Sequence, residues 1–128
     1  MENRSGEKFA ERMEFADLYD CYGQMLTEHQ RDILAMYLYE DLTISEIGDS
    51  KGISRQAVHD MLKRTHDSLA DYEARLGFIA KRCKEHEKLL DIYDGILTAK
   101  DEKTRKAALK VLKNYIDSYM ESRETNDI

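Results

Sequence analysis

Gly48 and Gly52 stand four residues apart between two short amphipathic segments, and this spacing leaves the surrounding backbone few ways to run. Thr43, with Glu46 three residues on, has the arrangement of a capping box that opens a helix. Ile44, Ile47 and Gly48 supply one face of that helix, which is expected to stop at Gly52. Ser54 is placed to cap the next helix, with Ala57, Val58, Met61 and Leu62 on its inner side. Counted from Ile44, residues Gly48, Gly52, Ile53, Val58 and Met61 fall fifth, ninth, tenth, fifteenth and eighteenth. A helix-turn-helix needs a small residue where its helices cross, a turn residue that accepts positive φ, and apolar residues that lock the second helix on the first. All are present in order, so residues 43 to 64 read as that motif. A plain three-helix packing unit would want the same glycines and is the alternative.

The rest of the chain extends the helical pattern. There is no proline and there are only six glycines, so little would interrupt helices and the expected class is all-α. Residues 8 to 25 place Phe15, Leu18, Tyr22 and Met25 on one face, and Gly23 is expected to fray or end that helix. Thr27 and Gln30 form another capping box, starting a helix whose Ile33, Leu34, Tyr37 and Leu38 turn inward before a turn at Asp41 and Leu42. From Val58, positions 58, 62, 65, 69, 72, 76, 79, 83, 86, 90, 93 and 97 alternate steps of four and three as a heptad seam, with Thr65 and His86 as polar interruptions. Gly77 is its weak point, which leaves either one long helix from 54 to about 98 or two broken near Gly77. Asp101 is a cap for a last helix, roughly 102 to 122, with Leu109, Leu112, Ile116 and Met120 as its apolar face, expected to fold back antiparallel; the final ETNDI should fray. The organisation expected is a helix-turn-helix domain over 8–76, its recognition helix starting at 54, and a helical extension over 77–122 that packs on itself or makes a homodimer.

Charge narrows the function. The net charge is −6, with three basic against six acidic residues over 1–26 and two against six over 27–52, while the remainder is close to balanced. Phosphate attraction supplies most sequence-independent DNA affinity, so an acidic protein suits specific rather than indiscriminate binding. No stretch approaches the roughly 18 apolar residues of a membrane span, and the opening MENRSGEKFAERM carries charges where a signal peptide has an apolar core. A cytoplasmic protein without membrane insertion is expected, with Cys21 and Cys83 as free, mostly packed thiols.

The candidate DNA-binding residues are Ser54, Arg55, Gln56, His59, Lys63 and Arg64, on the outer side of the second helix. In helix-turn-helix docking, residues early in this helix meet base edges, and hydroxyls and basic groups meet phosphates. Arg55 suits guanine, Gln56 adenine, and His59 either a base or the backbone; Ser54, Lys63 and Arg64 suit phosphate. Asp60 adjoins this surface and either repels phosphate or asks for a cytosine amine.

Other groupings favour packing. Cys83 and His86 sit three apart on a helix, but both fall on the seam with no third ligand near, so no metal site and no cofactor are expected. No nucleophile and base stand at recognisable spacing, so no enzyme is expected. Of eight tyrosines, Tyr22, Tyr37, Tyr72 and Tyr93 lie on inner faces, which points to core packing rather than base stacking. The run containing Lys100, Lys103, Arg105, Lys106, Lys110 and Lys113 is either a solvated face or a second contact to RNA or phosphate.

The run LTEHQRDILAMYLYEDLTISEIGDSKGISRQAVHDMLKRT resembles region four of bacterial sigma factors, and more closely the YlxM-like proteins whose genes adjoin those of the signal recognition particle. RM at 12–13, LYDCYGQMLT at 18–27, SRQAVHDMLKRT at 54–65 and YE at 72–73 carry the resemblance, from about Arg12 to Leu76. It implies a helix-turn-helix protein of the signal recognition particle pathway or its regulation, with Arg55 and Gln56 at base-reading positions and His59 near backbone or base. Asp60 stands where sigma factors usually carry glutamine, and His59 where the YlxM-like pattern has tyrosine. The resulting expectation is a DNA-binding transcription regulator, with an adaptor for signal recognition particle RNA or protein as the alternative.

Overall fold

The computed structural model describes residues 3–125, which are all-α, with no strand among them. The helices are α1 (Asn3–Tyr22), α2 (Glu28–Leu38), α3 (Ile44–Lys51), α4 (Arg55–Leu76), α5 (Phe78–Leu97) and α6 (Glu102–Thr125), with a 3-10 turn, Gly23–Met25, after α1. The chain divides between Ile79 and Ala80 into two compact units.

In the first unit the helix starts are written in side chains. Thr27 Oγ1 accepts from the Gln30 amide at 3.2 Å while Gln30 Oε1 accepts from the Thr27 amide at 3.0 Å. Thr43 and Glu46 repeat the exchange at 3.1 and 3.4 Å, and Ser54 Oγ accepts from the Ala57 amide at 3.0 Å. Each cap satisfies amides that the first helical turn leaves without a partner. The stops are equally local: Gly52 and Gly77 end α3 and α4 with φ of 69° and 65°, in the left-handed region that glycine enters without a Cβ penalty.

These helices enclose one core. Phe15, Leu18 and Tyr22 of α1 meet Ile33 and Leu34 of α2, Ile47 of α3, and Val58, Leu62 and Leu69 of α4, joined by Leu26. Burying each large apolar side chain contributes about 1.5–3 kcal/mol, which offsets the ordering of the short helices α2 and α3. Arg12 fastens α1 across this core: its guanidinium donates to the Tyr37 carbonyl near the end of α2, lies 4.6 Å from the Tyr37 ring centre, and approaches Asp41 at 3.4 Å. Three residues expected inside are outside. Met25 is 55% exposed, because the backbone leaves α-helical phase at Gly23; Ala57 is exposed because the inner face of α4 is centred on Val58, Leu62, Thr65 and Leu69; and the seam residue Leu76 is exposed at the last position of α4.

Gly77 resolves the two alternatives in favour of two helices. The first amides of α5 are capped from a distance: the Tyr22 hydroxyl accepts from Phe78 N–H at 3.2 Å and donates to Glu73 Oε1 at 2.6 Å, and Glu73 Oε1 accepts from Ile79 N–H at 2.9 Å. Burial, reinforced by the hydrogen bond to Glu73, pushes the Tyr22 phenol up to about 12. The hydrogen bond to Asp20, with burial second, does the same for Tyr39, also to about 12.

The second unit holds an antiparallel pair of helices, α5 and α6. Asp101 Oδ1 accepts from the Thr104 amide at 2.7 Å and so caps α6, which holds its carboxyl below the usual carboxylate range. A Cβ on Gly95 would lie 3.9 Å from Ala108, and Lys88 lies 5.0 Å from the Tyr115 ring centre, so a step of seven residues back along α5 matches seven forward along α6. The seam continues into this unit only in sequence. Cys83, His86, Leu90, Tyr93 and Leu97 are exposed, and Ile92 is the buried residue of α5, because the left-handed Gly77 breaks the phase set in α4. Cys83 is therefore not packed, and Cys21 is half-buried. On α6 the sheltered residues are Ala108, Leu112 and Tyr115, whereas Leu109 and Ile116 are exposed. The Met120 side chain and the last three residues of ETNDI lie outside the described residues.

A methyl on Gly48 would meet the Ile53 carbonyl oxygen at 2.8 Å, while a side chain on Gly52 meets nothing within 4 Å. Gly48→Ala is expected to cost about 1–3 kcal/mol in urea denaturation. Gly52→Asn should be almost neutral, since asparagine tolerates the left-handed region; the reverse order would show that the crossing of α3 and α4 does not limit stability. For Tyr22 and Tyr39 the folded state binds the phenolic proton more tightly than the unfolded chain does. The stability they lend is complete below pH 10 and is lost as pH rises toward about 12. Denaturation followed through that window should show the decline, and Tyr22→Phe with Tyr39→Phe should flatten it; an unchanged slope would assign the decline to other groups.

Candidate nucleic-acid interface

The crossing at Gly48 brings the backbone of α3 against the start of α4, where Ile53 N–H donates to the Gly48 carbonyl at 3.0 Å. Val58 is fully buried beneath the crossing, and this fixes the roll of α4. With Val58, Leu62, Thr65 and Leu69 inside, the opposite side of the same helix carries Gln56, Asp60 and Lys63, with Arg64 and Ala57 on one flank and His59 on the other. Lys51 of α3, 3.5 Å from Asp32 of α2, further ties the motif to the helix behind it.

Ser54, Arg55, Gln56, His59, Lys63 and Arg64 are all exposed, along the first three turns of α4. Ser54 accepts a hydrogen bond as the cap and keeps its own O–H to donate. Gln56 is not idle: its Nε2 donates to Asp60 Oδ1 at 2.9 Å, and His59 Nδ1 lies 3.8 Å from the same oxygen. The Gln56 carbonyl end remains available, and the pairing holds the amide in one plane along the helix. Asp60 is thus a neighbour that orients Gln56 as well as a negative charge on this face. Ala57, expected inside, adds an exposed methyl of the kind that meets the thymine methyl in a major groove.

Sequence reasoning missed the surface beside His59. A cleft of about 740 Å³ runs between α1 and α4, of mixed charge, with Lys8, Arg12, Lys63, Glu11 and Glu14 beside His59 and His66, and Phe15 and Leu62 also lining it. His66 makes an edge-on contact with Phe15, ring centres 5.0 Å apart. Lys8 precedes every motif and Arg12 stands in the RM pair at 12–13 with no site role read from it; the docking of α1 over α4 brings both to the cleft beside the recognition helix. Cys83 and His86 are both exposed, and no group of three or more metal-ligating side chains occurs among the described residues. No helix among those residues is long and apolar enough to cross a membrane.

Comparison with known proteins gives a consistent result. The family described as "Putative helix-turn-helix protein, YlxM / p13 like" (UPF0122) matches residues 9–108. A UPF0122 protein of Symbiobacterium thermophilum is 41% identical over 95 residues, covering 74% of this chain and 85% of that one. One from Clostridium kluyveri is 38% identical over 109 residues, covering 83% and 95%, and one from Listeria innocua is 37% identical over 99 residues, covering 76% and 89%. The family is described by its helix-turn-helix motif.

Proposed function

This chain belongs to the UPF0122 family of YlxM/p13-like helix-turn-helix proteins, and on that footing we propose that it is a sequence-reading DNA-binding regulator of the cytoplasm. Arg55, Gln56 and His59 read bases, and Ser54, Lys63 and Arg64 hold phosphates. One observation carries the reading: with the inner face of α4 fixed by Val58 and Leu62, every one of these six side chains stands exposed on the first three turns of the recognition helix. That is the part of such a helix that enters a major groove. The shortage of positive charge over residues 1–52 makes affinity depend on correct base contacts more than on phosphate attraction.

The exposed row Leu90, Tyr93 and Leu97 of α5 supports a homodimer, whose two-fold symmetry would match a palindromic operator. A second reading draws on the Gln56–Asp60 pairing, which occupies a base-reading amide, and on the acidic balance of residues 1–52. In it the motif is an adaptor for signal recognition particle RNA or protein, in the pathway that the family resemblance implies. A pull-down comparing that RNA, its protein partner and genomic DNA fragments separates the two.

Selection from a random-sequence duplex library should enrich a defined operator, and Arg55→Ala should weaken binding to it by about 1–3 kcal/mol while leaving scrambled duplex nearly unaffected. Enrichment of nothing by the purified protein would end the DNA reading. Leu90→Asp is expected to convert dimers to monomers in light scattering, and an unchanged mass would end the homodimer.

A further inference from the structure

We propose that Lys103, Lys106, Lys110 and Lys113 of α6 form a sequence-independent contact to the phosphate backbone of duplex DNA. The inference rests on the DNA reading above and adds to it the source of the affinity that the rest of the chain lacks. Residues 1–52 carry five basic against twelve acidic side chains, whereas residues 100–113 carry six against two. The chain's cationic density is therefore concentrated away from the recognition helix.

The arrangement on α6 is ordered. The four lysines follow steps of three, four and three, so they fall within one narrow arc of the helix. Ala108, Leu112 and Tyr115, which are turned toward α5, occupy the opposite side. All four lysines are exposed. At a rise of about 1.5 Å per residue the row is about 15 Å long. One DNA strand presents a phosphate about every 3.4 Å along the axis, so about four phosphates face a row of that length.

Three carboxylates adjoin the row: Asp101 caps Thr104, Glu102 pairs with Lys106 at 3.8 Å and offsets part of one of the four charges, and Asp117 follows one turn beyond Lys113. Ala108, Leu112 and Tyr115 are turned to α5 while Leu109 and Ile116 are exposed, so an anionic lipid surface is the competing partner that the vesicle arm below separates.

The test uses the full chain with all four lysines changed to glutamine, its helicity and melting checked against the unmodified protein. Binding is measured by fluorescence anisotropy over a salt series, on the selected operator and on scrambled duplex. The slope of log K against log salt is expected to fall by about 3–4. Affinity should drop by a similar factor on both duplexes, so that their ratio is kept; Arg55→Ala should do the opposite, collapsing the ratio and leaving the slope within about one. A slope within one of the unmodified protein, with operator binding intact, overturns the lysine contact and leaves the α4 reading standing. No operator binding by the unmodified protein overturns both. Parallel arms use an RNA hairpin and phosphatidylglycerol vesicles: a loss confined to either, with the duplex slope unchanged, overturns the DNA assignment in favour of that partner.

Discussion

The Ile53 carbonyl oxygen lies 2.8 Å from where a Cβ on Gly48 would stand, so α3 and the start of α4 touch backbone to backbone. That contact sets how deeply Val58 sinks into the core and hence how α4 is rolled about its axis. Which side chains α4 turns outward follows from the roll. A rotation by one residue, about 100°, would bury Gln56 or His59 and expose an apolar side chain instead. The two capping boxes and the Ser54 cap define where each helix begins, and the crossing defines which way its side chains face.

Electrostatics divides the labour along the chain. Residues 1–52 are acidic, and two of their five cations are engaged among the described side chains: Arg12 with Tyr37 and Asp41, and Lys51 with Asp32. Exposed positive groups stand at the start of α4, along α5 at Lys81, Arg82, Lys84 and Lys88, and in the row on α6. On the exposed face of α4, Asp60 restrains Gln56 and sets a negative charge beside Lys63 and Arg64.

The sequence was legible where structure is decided locally. Thr27 with Gln30, Thr43 with Glu46, Ser54 and Asp101 each mark a helix start within three residues, and Gly52 marks a stop. It was misleading where phase must be carried across a break. The heptad positions run unbroken through Gly77, yet its left-handed backbone separates α5 from the register of α4, which leaves Cys83, Leu90 and Tyr93 exposed and Ile92 buried. On α6, apolar character pointed to Leu109 and Ile116. The approach to α5 at Gly95 depends on a small partner, and Ala108 meets it. The outward set from Ser54 to Arg64 was visible because it is the complement of a buried stripe, whereas Lys8 and Arg12 join the surface only through tertiary docking of α1.

Tyr22 and Glu73 together receive the first two amides of α5, from points some fifty residues apart in the chain. The start of the fifth helix is thus specified partly by the first, which emerges from the ribosome long before it. A fragment designed to isolate the reading unit has its natural edge at Ile79: trimmed to Leu76, it keeps the whole recognition helix but leaves a sheltered phenol and carboxylate without the amides they were shaped to receive.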